Sequence, residues 1–455
     1  MALWMYEIEG ARPLSGRVRI SGSKNASLPL LAAALLADTP TTLYNIPVLR
    51  DTMQMKRLIE HLGAKVTFSQ GVMTIDPSGF KVDNVPYDIM CEMRASFYAM
   101  GPMLARLGKA RVSQPGGCAI GDRPVDIHLR GFKVLGVRMT RSAGYIHARH
   151  KGLVGTRLSL MGPKGTSVGA TINVLMAAVL ASGTTVIDDA AREPEVIEMI
   201  SFLKAMGARI EGSGTNTLTV EGVESLRGVE YRVSPDRIEA GTWAVAALVT
   251  HGDVVLENVD PVACESTLEL LERWGAELSD AGPNAIRVRR GKGTKKPLSI
   301  VTEPFPGFPT DVQSVFTTLL ALTPGESDLR ETIYPERFKH VPELNRMGAR
   351  IKLEGSRITI KGVAALEGAA VMASDLRAGA ALVIAALAAH GTSQVRRIYH
   401  VERGYEDLVN KLRGIGAVIR RVEEADVDPG LMVSSNDMYD AQVEELIAPH
   451  REVGT

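Results

Sequence analysis

A short motif, an apolar residue followed by Gly and then a small residue, recurs six times in the 455-residue chain at intervals of roughly 70 residues. The copies are Leu62-Gly63-Ala64, Leu135-Gly136-Val137, Met206-Gly207-Ala208, Trp274-Gly275-Ala276, Met347-Gly348-Ala349 and Ile415-Gly416-Ala417. Each follows an amphipathic stretch, such as Glu195 to Ala205 or Thr267 to Arg273, and precedes an alternating or apolar run. That order reads as a helix closed by a C-cap glycine and then a strand. Upstream in most copies lies a helical run of small residues, a turn signal and another strand: Leu30 to Leu36, Ile172 to Leu180, Trp243 to Val249 and Leu382 to Ala388. The repeating unit is therefore helix, strand, helix, strand, with additional short strands. Alanine on the first helices permits close approach, and an aromatic content of 5% fits helices buried by many small contacts.

Six such units exceed one core, so two groups of three are expected, with a break near Arg232 to Arg237. The first strand of the chain is expected to return to the C-terminal group. This gives one α/β domain from residues 1–22 and 236–422, a second from 23–235 carrying the Cys118 loop, and a poorly ordered tail at 423–455. The cleft between the two groups is the default place for a site.

Charge narrows the function. The 52 Lys and Arg equal the 52 Asp and Glu, which argues against a surface that traps nucleic acid or anionic membrane and leaves room only for a local basic site. The apolar runs are too short to span a bilayer, the N-terminus lacks the features of a signal peptide, and three cysteines are too few for a disulfide framework. A cytoplasmic protein is expected.

Two segments carry chemistry. Gln114-Pro-Gly-Gly-Cys118-Ala-Ile-Gly-Asp122-Arg123-Pro124-Val125-Asp126-Ile127-His128 places a thiol among Pro and Gly near an arginine, a setting that favours thiolate. Ser21-Gly-Ser-Lys24-Asn25-Ala-Ser27 is a Gly/Ser turn running into a helix, where backbone N–H groups and Lys24 suit a phosphate or carboxylate. Read blandly, it is a capped helix with a solvated lysine. The Gly-x-x-x-x-Gly-Lys spacing of a nucleotide-hydrolysing loop is missing. Polar clusters at Arg94, Arg192-Glu193, Asp236-Arg237, Thr310-Asp311, Asp375-Leu-Arg377 and His400 to Tyr405 recur before helices, so the fold could gather them at one end of both domains. For Asp236 and Asp375, helix capping is the simpler reading.

These motifs together, with Ser167-Val168-Gly-Ala-Thr171 and Arg337-Phe-x-His-Val-Pro-Glu-Leu344, resemble the UDP-N-acetylglucosamine 1-carboxyvinyltransferases from about Glu7 to Val422. The resemblance implies two inside-out α/β domains, each of three repeated units with helices inside and sheets outside. It implies transfer of the enolpyruvyl group of phosphoenolpyruvate to the 3′-hydroxyl of UDP-N-acetylglucosamine, with small-molecule substrates and with neither cofactor nor metal. By the same resemblance Cys118 is the acid and forms a covalent adduct, and Asp311 is the base or orients the hydroxyl. Lys24, Asn25, Arg123 and Arg403 hold phosphoenolpyruvate. Arg94, the stretch Arg123, Pro124, Val125, Asp126 and Ile127, then Ser167, Val168, Asp311 and Ile333, bind the nucleotide sugar, with Asp375 and Arg377 at the reacting centre. Lys164 or Gly165 is the further nucleotide contact. Asp122 stands where the resembling family commonly has Ala; it either raises the thiol pKa or faces solvent. A cysteine at position 118 further implies sensitivity to fosfomycin.

Two other readings compete. The sister enolpyruvyl transfer to shikimate 3-phosphate lacks the Pro-Gly-Gly-Cys loop. A catalytically silent UDP-sugar-binding paralogue would not need Lys24, Cys118, Arg123, Asp311 and Arg403 together.

Overall fold

A computed structural model describes residues 4–113 and 125–424. Its strands form six four-stranded sheets, one for each copy of the repeat. The third unit shows the plan. Helix Val168–Ala178 leads to strand Thr184–Asp188, helix Pro194–Met206 follows, and a hairpin of Arg209–Glu211 and Thr217–Glu221 closes it. The second hairpin strand runs antiparallel to Thr184–Asp188 with Ile187 opposite Leu218. A short strand, Arg157–Ser159, pairs in parallel on the other side. Along these strands every second residue is buried, so one face of the sheet covers the helices and the other meets solvent.

All six repeat glycines have positive φ: 105° at Gly63, 99° at Gly136, 112° at Gly207, 114° at Gly275, 94° at Gly348 and 97° at Gly416. A side chain there would strain the backbone, which is the physical reason the glycine recurs.

The small-residue helices lie inside. In Arg237–Val249 every residue from Ile238 to Val249 is buried, and Leu376–Ala388 is buried from Arg377 to Leu387. A helix apolar on all sides needs partners on all sides. Close approach depends on missing side chains: a Cβ on Gly131 would lie 2.5 Å from Val174 Cγ2, and one on Gly101 would lie 2.7 Å from Asn173 Oδ1. Buried apolar residues fall into two clusters, one drawn from residues between Ala26 and Val233, the other from Tyr6 to Ile20 and Ile238 to Ile419.

The N-terminal segment completes the second group. Strand Trp4–Glu9 pairs antiparallel with Thr392–Arg396 and Val418–Glu423, and Ser15–Arg19 pairs in parallel with Asp253–Glu257. In exchange Glu230–Arg232 pairs with Thr41–Tyr44 in the first group. The chain thus crosses twice, side by side: Ser23 N donates to Ser234 O at 2.8 Å and Asp236 N to Ser21 O at 2.9 Å. The last strand runs through Glu423, the residue where the tail was expected to begin; residues 425–455 lie outside the described part. Among the described residues no helix is long and apolar enough to cross a membrane.

Candidate active site

The N-terminal ends of buried helices from both groups meet beside the two crossings. Lys24 and Asn25 open helix Lys24–Ala33, whose cap is Ser23 Oγ accepting from Ala26 N at 3.2 Å. Asp311 sits in the single turn Thr310–Val312. Arg377 lies in the first turn of Leu376–Ala388, and Arg403 ends the short 3-10 stretch Ile398–Arg403. Helix N-termini present unpaired N–H groups and a positive dipole end, so anions are favoured there.

Two carboxylates organise the cations. Asp311 accepts from Arg337 Nη1 at 2.7 Å, Arg377 Nη2 at 3.1 Å and Asn25 Nδ2 at 3.3 Å. Asp51, in the first turn of helix Arg50–His61, accepts from Arg403 Nε at 2.8 Å and faces Lys24 Nζ at 3.5 Å. Burial alone raises the Asp311 pKa, but the charges of Arg377 and Arg337, the Arg337 hydrogen bond and the charge of Lys24 outweigh it. They hold the carboxyl well below the usual carboxylate range. Burial lowers the pKa of Arg377, yet Asp311, Tyr405 and Asp236 more than reverse this.

Asp236 and Asp375 are helix caps, as the simpler reading had it. Asp236 Oδ1 accepts from Ile238 N and Glu239 N, and Asp375 Oδ1 from Arg377 N and Ala378 N. Asp236 does more: its Oδ2 accepts from Lys24 N at 3.2 Å, tying the Lys24 turn to the other group. Glu193 precedes helix Pro194–Met206, and burial, with Glu195 nearby, raises its pKa. Its neighbour Glu195 forms a paired bridge to Arg237 at 3.0 and 3.2 Å.

Several of the other expected residues lie on the elements around His128, while Ile333 lies beside Asp311. Its Nδ1 lies 3.2 Å from Asn173 Nδ2, and its ring meets Phe97 edge-on at 5.1 Å. Burial and then the charge of Arg94 push its pKa down to about 3, so the imidazole is neutral. Ser167 caps helix Val168–Ala178 by accepting from Ala170 N at 3.3 Å, and a Cβ on Gly169 would lie 3.2 Å from the His128 ring. Val125 precedes and Asp126 begins helix Asp126–Val134, while Ile127 packs so closely on Gly162 that a Cβ there would lie 2.4 Å from its Cδ1. Gly165, with φ of 94°, closes a tight turn with Gly162, and Lys164 is exposed. Ile333 N donates to Glu331 Oε1 at 2.8 Å, and Glu331 Oε2 accepts from Thr310 beside Asp311. Cys118, Asp122, Arg123 and Pro124 lie outside the described residues.

Sequence reasoning missed Asp51, Arg337 and Tyr405 as members of the central cluster. Arg337 and Tyr405 stood inside motifs already singled out, without a role. Asp51 carried no signal beyond an acid in the first turn of a helix, which reads as a favourable dipole contact.

Comparison with known proteins decides the family. Over 420 residues the chain is 50% identical to "UDP-N-acetylglucosamine 1-carboxyvinyltransferase 2" of Carboxydothermus hydrogenoformans, covering 92% of this chain and 99% of the relative. The chain belongs to the UDP-N-acetylglucosamine 1-carboxyvinyltransferase family. A member from Psychrobacter is 48% identical, with 92% of this chain and 96% of the relative covered. The broader profile described as EPSP synthase (3-phosphoshikimate 1-carboxyvinyltransferase) matches residues 8–412. Among solved structures, the enolpyruvyl transferase NikO of Streptomyces tendae superposes with a TM-score of 0.84 at 26% identity, over 93% of this chain and 100% of that one. EPSP synthase from Acinetobacter baumannii shares the fold, with a TM-score of 0.73 at 18% identity over 92% of this chain and 100% of that one. The architecture of this UDP-N-acetylglucosamine 1-carboxyvinyltransferase family member is therefore the enolpyruvyl transferase fold, two inside-out α/β domains of three units each.

Proposed function

We propose that this protein transfers the enolpyruvyl group of phosphoenolpyruvate to the 3′-hydroxyl of UDP-N-acetylglucosamine with release of phosphate, the first committed step of peptidoglycan precursor synthesis. The observation that carries the reading is the grouping of Lys24, Asn25, Arg377 and Arg403, contributed by both groups of units, around the carboxylates of Asp311 and Asp51. The substrates are small anions, and the working location is the cytoplasm.

The chemistry assigns the roles. The sugar hydroxyl oxygen forms a bond to C2 of phosphoenolpyruvate as C3 takes a proton; the hydroxyl proton leaves to a base. In the second half a proton leaves C3 and the C2–O bond to phosphate breaks. Cys118 gives the first proton, and its sulfur is also the atom that adds to C2 in the covalent adduct. Asp311 faces the sugar hydroxyl and takes its proton. A carboxyl held so far below its usual range is a weak base. Phosphate and carboxylate groups neutralising Lys24 and Arg377 would relieve that hold and raise its basicity when substrate is bound.

Lys24, Asn25, Arg123 and Arg403 hold phosphoenolpyruvate, arginine through planar paired donors and lysine as a compact charge. Arg94, Pro124, Val125, Asp126, Ile127, Ser167, Val168 and Ile333 bind the nucleotide sugar, and Asp375 places Arg377 by capping its helix. Residues 23–235 and residues 1–22 with 236–422 act as two bodies joined at the paired crossings, and closing them excludes water from the reacting atoms.

The test is phosphate release from phosphoenolpyruvate with UDP-N-acetylglucosamine, with Cys118→Ser in parallel and shikimate 3-phosphate as the alternative acceptor. Release with the nucleotide sugar alone, lost in Cys118→Ser, is expected. Binding of UDP-N-acetylglucosamine without any release would leave a silent binding protein instead.

A further inference from the structure

Asp51 is buried with its side chain 5% exposed, and it is the carboxylate shared by Lys24 of one group of units and Arg403 of the other. Arg403 Nη2 also approaches Asp51 Oδ2, at 3.4 Å, so the guanidinium meets the carboxylate with two nitrogens. The Asp51 helix is itself tied across the boundary. Glu406, three residues beyond Arg403, accepts from Val48 N at 2.7 Å and from Ser21 Oγ at 2.6 Å, at the first crossing.

We propose that Asp51 is a positioning residue for phosphoenolpyruvate: its carboxylate pairs Lys24 with Arg403 across the two domains and keeps the lysine in its charged, anion-binding form. The proposal rests on the reading that Lys24 and Arg403 hold phosphoenolpyruvate. Asp51 itself would repel the substrate's phosphate, so its effect passes through the two cations. Two cations brought together in a partly desolvated site repel each other, and a shared anion removes much of that cost.

The surroundings of Lys24 show why the carboxylate matters. Burial lowers the lysine's pKa; Asp51 is the strongest influence raising it, Arg377 and Arg403 lower it, and Asp311 raises it more weakly. Asp236 faces the same turn but accepts from the Lys24 backbone. With Asp51 neutral, the balance around the ammonium becomes burial and two arginines against Asp311. The lysine then loses its proton at lower pH.

The experiment follows KM for phosphoenolpyruvate and for UDP-N-acetylglucosamine in the full-length enzyme from pH 6.5 to 9, in wild type, Asp51→Asn, Asp51→Glu and Asp51→Asn/Lys24→Arg. In Asp51→Asn the alkaline rise of KM for phosphoenolpyruvate is expected to begin about one pH unit lower, roughly a tenfold KM difference from wild type on that limb. KM for the nucleotide sugar is expected to stay within about twofold, since that substrate is held elsewhere. Asp51→Glu keeps the charge and the wild-type profile, and Lys24→Arg, which cannot lose its proton, removes the shift.

Equal changes in both KM values at every pH, or a profile shifted as much in Asp51→Glu as in Asp51→Asn, would overturn the proposal in favour of a merely structural aspartate. If Asp51→Asn fails to fold by thermal melting, the comparison of Asp51→Glu with wild type decides in the same way. Absence of phosphate release by the wild type would instead count against the functional reading. Asp51 is then tested by calorimetric titration of wild type and Asp51→Asn with inorganic phosphate over the same pH range, where an identical pH dependence overturns its role.

Discussion

The side-chain amide of Asn25 lies 3.3 Å from Oδ2 of Asp311, a hydrogen bond between residues 286 positions apart in the chain. Asn25 sits at the start of the first unit's inner helix, and Asp311 just before the fifth unit's inner helix. The contact therefore joins the two groups of three units at the point where the expected phosphoenolpyruvate ligands meet the expected base. An amide donor there orients the carboxylate without adding charge, leaving its basicity to Arg337, Arg377 and Lys24.

Asp311→Asn is expected to retain UDP-N-acetylglucosamine binding, measured by calorimetry, while phosphate release falls by about 10²–10⁴-fold, the usual contribution of a positioned acid or base. Unchanged turnover would remove Asp311 from the chemistry.

The same carboxylate makes stability depend on pH. Its folded pKa is depressed, so the stabilisation is fully present above the unfolded value and is lost as pH falls through the folded one. Thermal melts should show Asp311→Asn well below wild type at pH 7, because Arg337 and Arg377 lose their partner. The two curves should begin to approach each other only below about pH 4, the unfolded value, and meet once the pH has fallen through the depressed folded one, since a protonated aspartic acid and asparagine are close in shape and both neutral. A gap that stays constant with pH would contradict the pairing.

His128 gives a second acid-sensitive element with a different window. Its imidazole has a folded pKa of about 3, because of burial and then Arg94. The unfolded chain takes up a proton near pH 6.5 that the folded chain refuses, so stability falls as pH drops from there towards the folded value. His128→Phe keeps an aromatic ring against Phe97 and should flatten this limb by about 1.4 kcal/mol per pH unit in urea titrations between pH 6 and 4. His340, also buried and pushed down to about 4, keeps part of the slope in that variant.

The repeat made the fold legible because each recurring glycine answers a backbone demand that almost no other residue meets, and all six have positive φ. The candidate cluster is legible where a motif carries chemistry of its own: Lys24, Asp311, Arg377 and Arg403 belong to separate motifs and stand together. It was illegible where meaning depends on distant pairing. Asp51 and Arg403 are 352 residues apart, and an aspartate at a helix start has a sufficient local explanation. Equal numbers of acidic and basic residues hid the cluster as well. The four cations there, Lys24, Arg337, Arg377 and Arg403, share two carboxylates, Asp311 and Asp51, so each has a partner while these six groups together keep an excess of positive charge.

The repeat glycines also separate two causes of the same conservation of backbone shape. At Gly207, with φ of 112°, a Cβ would meet nothing within 4 Å, so Gly207→Ala pays only for the left-handed backbone, about 1–2 kcal/mol. At Gly63, with φ of 105°, a Cβ would lie 2.2 Å from the Gly79 carbonyl oxygen, a backbone atom that cannot swing away. Gly63→Ala must therefore carry the same strain and also push apart the helix end and the Pro77–Gly79 turn. Urea denaturation of both variants should show the larger loss at Gly63. Equal losses would mean that the turn yields freely and that backbone conformation alone accounts for the glycine at both positions.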